Sequence, residues 1–232
     1  MDAGHLLFAH AVRRDERAID LGAAALLVAE PEYPALDVAR YGDLLDIFAD
    51  GALGSAQRGE SPRLALARHL HGELGFAGNE TDYYDPRNSF FNEVLDRRVG
   101  IPITLSLLHL EVGRRMGLSV EGVAFPGHFL VRYLGVAGDH DEVVVDPYHG
   151  GIALDQSALV DRLRRVAGQG ATLTASHLAR AGKRQILARL LNNLRGVYQR
   201  SGDAQREQSV VERLELLGAA GTHGQDRGGR LN

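Results

Sequence analysis

Cysteine is absent from this chain of 232 residues. That single absence removes disulfides, thiolate metal sites and any thiol nucleophile. An excess of charge of one sign is also missing. With 26 basic against 30 acidic residues, there is no electrostatic case for nucleic acid or an anionic membrane as a partner. No apolar run approaches the length of a membrane span, and the start MDAGHLLFAHAVRRDERAID has no basic region followed by a long apolar stretch. The expectation is a soluble, cytoplasmic protein, whose length suits one compact domain with a helical annex.

What is present begins with helical periodicity. His5–Arg14, Ala18–Glu30 and Leu36–Phe48 place apolar residues three and four apart, with Pro31 and Pro34 breaking the run between the last two. Asp50–Glu60 is Gly-rich and polar and reads as a loop. Ser61 is placed to cap the next helix, with Pro62 at its first position and Gly75 at its end. Residues 1–75 are thus expected to be helical throughout. The turn-rich linker FAGNETDYYDPRN follows. Its Tyr83 and Tyr84 either pin a surface loop or form the rim of a cleft. Asn88 is expected to cap a helix over Ser89–Arg98.

A central helix opens at Gly100-Ile101-Pro102 and stops before Gly117. Its apolar positions surround nearly the whole circumference, as in a helix buried between layers. Thr104 lies in its first turn and Ser106 just beyond. The N–H groups and positive dipole end of a buried helix start are a usual place for a nucleophile or an anion. Local hydrogen bonding for Thr104 and close packing for Ser106 are the plainer explanations.

Beyond it, GHFLVRY and EVVVD flank a Gly/Asp-rich segment and read as an antiparallel hairpin. A turn centred near Ala137 pairs Phe129 with Val145 and Val131 with Val143 on one face. The other face pairs Leu130 with Val144, Arg132 with Glu142 and His128 with Asp146, at the ~5 Å spacing of opposed Cβ atoms. One face is then apolar, both polar pairs are complementary, and His128 and Asp146 form two thirds of a catalytic triad. His128 could equally be a core histidine held by Asp146. A short strand, Ile152–Leu154, and a helix, Gln156–Ala167, come next, and the sheet is expected only between Gly117 and Leu154. The chain then offers helices over Lys183–Gln199 and Ala204–Leu217. They look like one tetratricopeptide-type hairpin, although Glu207 stands where a small residue would bring the helices together. The residues from Gly218 onward read as disordered.

The stretches NSFFNEVLDRRVGIPITLSLLHLEVGRRMGL, GVAFPGHFLVRY and VVVDPYHGG together resemble the core of the transglutaminase-like superfamily. More narrowly, the chain is similar to bacterial SirB-type proteins over roughly residues 18–217. The resemblance implies an α+β fold in which an all-helical N-terminal segment (1–75) precedes a transglutaminase/papain-like core (76–170), a buried central helix packed on a small antiparallel sheet. A tetratricopeptide-like annex (171–217) and a disordered tail (218–232) complete the division. In active members of the superfamily a Cys at the start of the central helix is followed by a His on one strand and an Asp on the next. His128 and Asp146 match the last two, and the place of the Cys falls at Ile103 or Thr104.

Three functions follow, in this order. The first is a non-catalytic module binding a peptide or protein partner in a cleft formed by Tyr83, Tyr84, Asn88, Asn92, Phe129 and Tyr148. The second is a hydrolase or acyl-transferase using Thr104 or Ser106 as nucleophile, His128 as base and Asp146 as orienter. It must do so without a G-x-S-x-G elbow. The third is a metal site of His128, Asp146 and His149, with His140 as a further ligand. There Pro147 separates the ligands and no HExxH pattern is present. The leading reading assigns no cofactor and no metal.

Overall fold

The computed structural model describes residues 3–56, 59–135 and 142–218. Among the described residues there is no strand before Ala77. The chain up to there folds as α1 (Ala3–Val12), α2 (Leu21–Leu27), α3 (Val38–Gly54) and α4 (Pro62–Ala67). Three of these starts are capped by a side chain accepting from a first-turn N–H: Asp20 from Ala23, Asp37 from Arg40 and Ser61 from Leu64. The loop expected from Asp50 begins later than its glycines implied, because α3 runs on to Gly54. Ala49 and Ala52 are buried there. At Gly51 a Cβ would sit 2.5 Å from Nε2 of His69, so this glycine serves a helix contact and not a turn. Beyond α4 the chain continues as a π-helical turn, Arg68–Glu73, and leaves it at Gly75 with φ 77°.

β1 (Ala77–Gly78) and β2 (Val99–Gly100) form a small parallel pair around α5 (Phe91–Arg97). This corrects the expectation that all sheet lies between residues 117 and 154; a two-residue strand is too short to leave a period in the sequence. The cap of α5 also differs, since Phe90 occupies that position. Asn88 instead closes a 3-10 turn and points inward. Its amide donates to the carbonyls of Asp82 and Tyr83 and accepts from Asn79, fastening the Tyr83–Tyr84 loop. α6 (Pro102–Arg115) is the central helix, with Pro102 at its first position and every residue from Pro102 to Gly113 buried.

The main sheet consists of β3 (Val120–Val123), β4 (Leu130–Tyr133), β5 (Val143–Asp146) and β6 (Ile152–Leu154). After α7 (Gln156–Ala167), the short β7 (Arg180–Ala181) joins it, giving the order β6-β5-β4-β3-β7 with every pair antiparallel. β7 is a further departure from the expected sheet limits. The β4–β5 register is Val131 with Val145, Arg132 with Val144 and Tyr133 with Val143. That lies two residues from the expected pairing of Phe129 with Val145. A slip of two leaves every side chain on its original face, so the apolar pattern could not distinguish the two registers. The faces are as read: Val131, Tyr133 and Val145 join α6 in the main core, while Leu130 and Val144 pack with Phe125 and with Leu159 and Leu163 of α7.

α8 (Lys183–Ser201) and α9 (Ala204–Leu216) turn at Gly202, φ 71°, and pack as a hairpin. Glu207 sits at its polar edge, accepting from Arg195 and Gln199. The main core runs unbroken from Phe8 to Leu217. The expected hairpin turn near Ala137, His140 and the tail from residue 219 lie outside the described residues. Among the described residues no helix is long and apolar enough to cross a membrane.

Candidate functional site

Asp146 is the last residue of β5 and the cap of a 3-10 turn, Pro147–His149, accepting from the Tyr148 N–H at 3.0 Å. The same oxygen faces Nε2 of His128 at 2.9 Å. Its other oxygen faces Nδ1 of His149 and Nη2 of Arg162 on α7, each at 2.7 Å. Four donors therefore converge on one carboxylate that has no solvent exposure. Burial by itself would raise the Asp146 carboxyl; the hydrogen bond and charge of His128, with Arg162 and His149, outweigh it and hold the group below the usual carboxylate range. Burial lowers His128 further than Asp146 raises it, so the ring is neutral at neutral pH. A carboxylate only accepts, so His128 turns its Nε2 N–H and His149 its Nδ1 N–H toward Asp146. Nδ1 of the neutral His128 ring is left as an acceptor.

Backbone geometry sets these rings. Pro126-Gly127 turns the chain before β4, with Gly127 at φ 67° and the His128 N–H returning to the Phe125 carbonyl at 3.0 Å. The two imidazoles lie nearly parallel, centroids 5.9 Å apart. An aromatic file continues outward: Tyr148 stands edge-on to His128 at 6.0 Å, Tyr83 to Tyr148 at 6.4 Å, and Tyr84 to Tyr83 at 5.3 Å. The Arg200 guanidinium covers Tyr84 at 4.1 Å, and the Tyr148 hydroxyl donates to the Asn79 carbonyl at 3.1 Å.

The other candidate residues lie inside. Thr104 accepts from the Ile101 N–H and faces the carbonyls of Asn88 and Ile101, while Ser106 donates to the Phe129 carbonyl. Both are fully buried, and neither hydrogen-bonds His128. Phe129 points into the main core with its ring against Gly122, and Asn88 and Asn92 are buried. These three therefore do not line an open cleft.

Sequence reasoning missed a second constellation beneath the site. His71, on the π-helical turn, reaches the Phe76 carbonyl through Nδ1 at 2.7 Å and Nε2 of His109 at 2.8 Å; Nδ1 of His109 meets the Tyr133 hydroxyl at 2.9 Å. The carbonyl fixes the direction of the whole chain. His71 must carry its proton on Nδ1, so its Nε2 accepts from His109, whose Nδ1 accepts from Tyr133. Burial pushes both imidazoles down, His109 furthest, and pushes the Tyr133 phenol up. Gly151 comes so close that a Cβ would stand 3.3 Å from Cε1 of His109, and the turn after Asp146 rests on the histidine pair. His109 had one legible signal, a polar ring on a helix otherwise apolar all round. Arg162 had none, because only the fold brings α7 to Asp146.

A buried helix over an antiparallel sheet, with His just before one strand and Asp at the end of its neighbour, fits a transglutaminase-like core. The chain belongs to the transglutaminase-like superfamily, whose family model matches residues 41–192. Among its relatives is a "UPF0162 protein" of Xylella fastidiosa (strain Temecula1), 38% identical over 209 residues, 88% of this chain and 73% of the relative. Another "UPF0162 protein", from Vibrio cholerae, is 34% identical over 145 residues, covering 62% of this chain and 53% of its own length. The chain is also similar to F-box only protein 21 of Mus musculus, 34% identical over 148 residues, which are 63% of this chain and 23% of that protein. No solved structure matches at the same level of significance.

Proposed function

We propose that this chain is a non-catalytic, cytoplasmic transglutaminase-like module with a regulatory role, binding a peptide or protein segment along the aromatic file beside His128. The observation that carries the reading is the start of α6. By resemblance the place of the superfamily's Cys falls at Ile103 or Thr104, and both are buried. The two nearby hydroxyls are engaged with backbone carbonyls. Among the described residues His128 thus has a carboxylate partner, and neither Thr104 nor Ser106 is offered to it as a nucleophile. Tyr84 supports a binding role: it is 47% exposed at the outer end of the file, an amphipathic ring of the kind that anchors interfaces. The match within F-box only protein 21 supports it too, since about a quarter of that longer chain resembles this one.

The His128–Asp146 pair favours a second reading, a hydrolase or acyl-transferase in which the first turn of α6 rearranges to release Thr104 or Ser106. Assays of ester and amide hydrolysis on the wild type and His128→Ala, with a chelator present, separate the two. The module predicts no turnover in either. It also predicts that a peptide selected from a display library on the wild type binds Tyr84→Ala at least tenfold more weakly. Wild-type turnover that disappears in His128→Ala would overturn the proposal.

A further inference from the structure

The ligand atoms offered by His128, Asp146 and His149 all lie within 4.8 Å of one another. Among the described residues this is the one group of three such side chains to converge so closely. In the sequence Pro147 appeared to hold Asp146 and His149 apart. The structure explains their meeting: Asp146 caps the 3-10 turn that follows it, and the turn brings His149 back over the capping carboxylate.

We propose that these three side chains hold one divalent transition-metal ion of the borderline class, such as zinc or cobalt, through His128 Nε2, His149 Nδ1 and the Asp146 carboxylate. Two nitrogens and one oxygen suit such ions, whereas calcium and magnesium favour oxygen alone. The nitrogen-to-oxygen distances are 2.9 Å from His128 and 2.7 Å from His149. Ligand bonds of about 2.0–2.2 Å at tetrahedral angles separate neighbouring ligand atoms by roughly 3.3 Å. If each imidazole shifts its proton to its other ring nitrogen, an ion can take the shared place, and each nitrogen–oxygen pair then opens by only about half an ångström. The carboxylate stays fastened by the Tyr148 N–H, the kind of outer support that orients a ligand.

Three protein ligands leave a fourth position, and the His149 side chain, 43% exposed, shows where solvent reaches it. Arg162 works against the ion, since its charge lies 2.7 Å from a ligand oxygen. The inference does not depend on peptide binding or on the lack of turnover, the latter of which is tested with the metal removed.

The experiment is a titration of the full chain with Co2+, followed by its visible ligand-field bands, with Zn2+ as competitor. The expected result is one saturable ion per chain in the micromolar range, displaced by Zn2+. His149→Ala, at a partly exposed position that keeps the core intact, should weaken it at least tenfold. Zn2+ should also raise the unfolding temperature of the wild type and not of His149→Ala. Arg162→Gln removes the opposing charge and is expected to tighten binding several-fold, which would place Asp146 in the ligand set. No saturable band up to millimolar Co2+, or unchanged affinity in the double variant His128→Ala/His149→Ala, overturns the proposal. Unchanged or weaker binding in Arg162→Gln, with the fold intact, overturns the role given to Asp146.

Discussion

Two buried polar residues bear more of this fold than their size implies. Asp146 closes β5, caps the following turn and neutralises Arg162, whose side chain is only 19% exposed. Asp146→Asn keeps the shape but leaves the guanidinium without its counter-charge. Breaking a buried pair in this way typically costs about 3–5 kcal/mol, and the lower end applies because Arg162 retains some water contact. Urea unfolding of the variant should show that loss; a change below about 1 kcal/mol would mean that Arg162 finds another partner. Tyr133 is the second case. Tyr133→Phe leaves Nδ1 of His109 buried with nothing to accept from, at a cost of about 1–3 kcal/mol by the same measurement. The histidine pair also makes stability depend on pH. Both rings are depressed below 6.5 in the folded chain, so the unfolded chain binds more protons as the pH falls. Their contribution is complete above about pH 6.5 and is lost below it, with a slope of up to about 1.4 kcal/mol per pH unit for each ring. Unfolding curves between pH 7.5 and 5.5 should show this decline, and His109→Gln should flatten it.

At the scale of elements, what could be read in the sequence was whatever repeats or caps. α6 showed itself through Pro102 and an all-round apolar surface, α4 through Ser61 and Pro62, and the β4–β5 faces through alternation. The register was not legible, because a two-residue slip changes no face. β1, β2 and β7 were not legible either, since two residues carry no period and their pairing depends on distant chain. Yet β1 matters to the site. A Cβ on Gly78 would meet the Tyr148 ring at 2.6 Å, and that ring stands between His128 and Tyr83 in the aromatic file. Gly78→Ala is expected to cost about 1–3 kcal/mol through overpacking and to displace Tyr148. The measurable sign is a Tyr148 environment changed by NMR while the α6 core resonances hold. Unchanged Tyr148 signals would show that β1 yields instead of the ring.

At the scale of the molecule, the C-terminal hairpin poses the sharpest question. The resemblance implied a boundary near residue 171, with the hairpin as an annex. Sequence could not show what its apolar stripe faces. In the structure Ile186, Leu187, Leu190, Leu191, Leu194 and Tyr198 of α8 belong to the same core cluster as Phe8, Val28 and Leu108. α8 packs against α2 and α6, α9 against α1, and Lys183 donates to the carbonyls of Arg17 and Ile19. Burying six such side chains contributes roughly 9–18 kcal/mol at about 1.5–3 kcal/mol each, an upper figure because the unfolded chain is itself partly compact. That is comparable to the whole stability of an ordinary domain, about 5–15 kcal/mol. A chain ending at Gly182 should therefore fail to fold: it should be insoluble, or bind a hydrophobic dye and lose its cooperative unfolding transition. The alternative outcome is a soluble 1–182 chain with a sharp transition near that of the full protein. That result would make the hairpin a separable unit, and the aromatic file and Asp146 site would then have to be sought as properties of residues 1–182 alone.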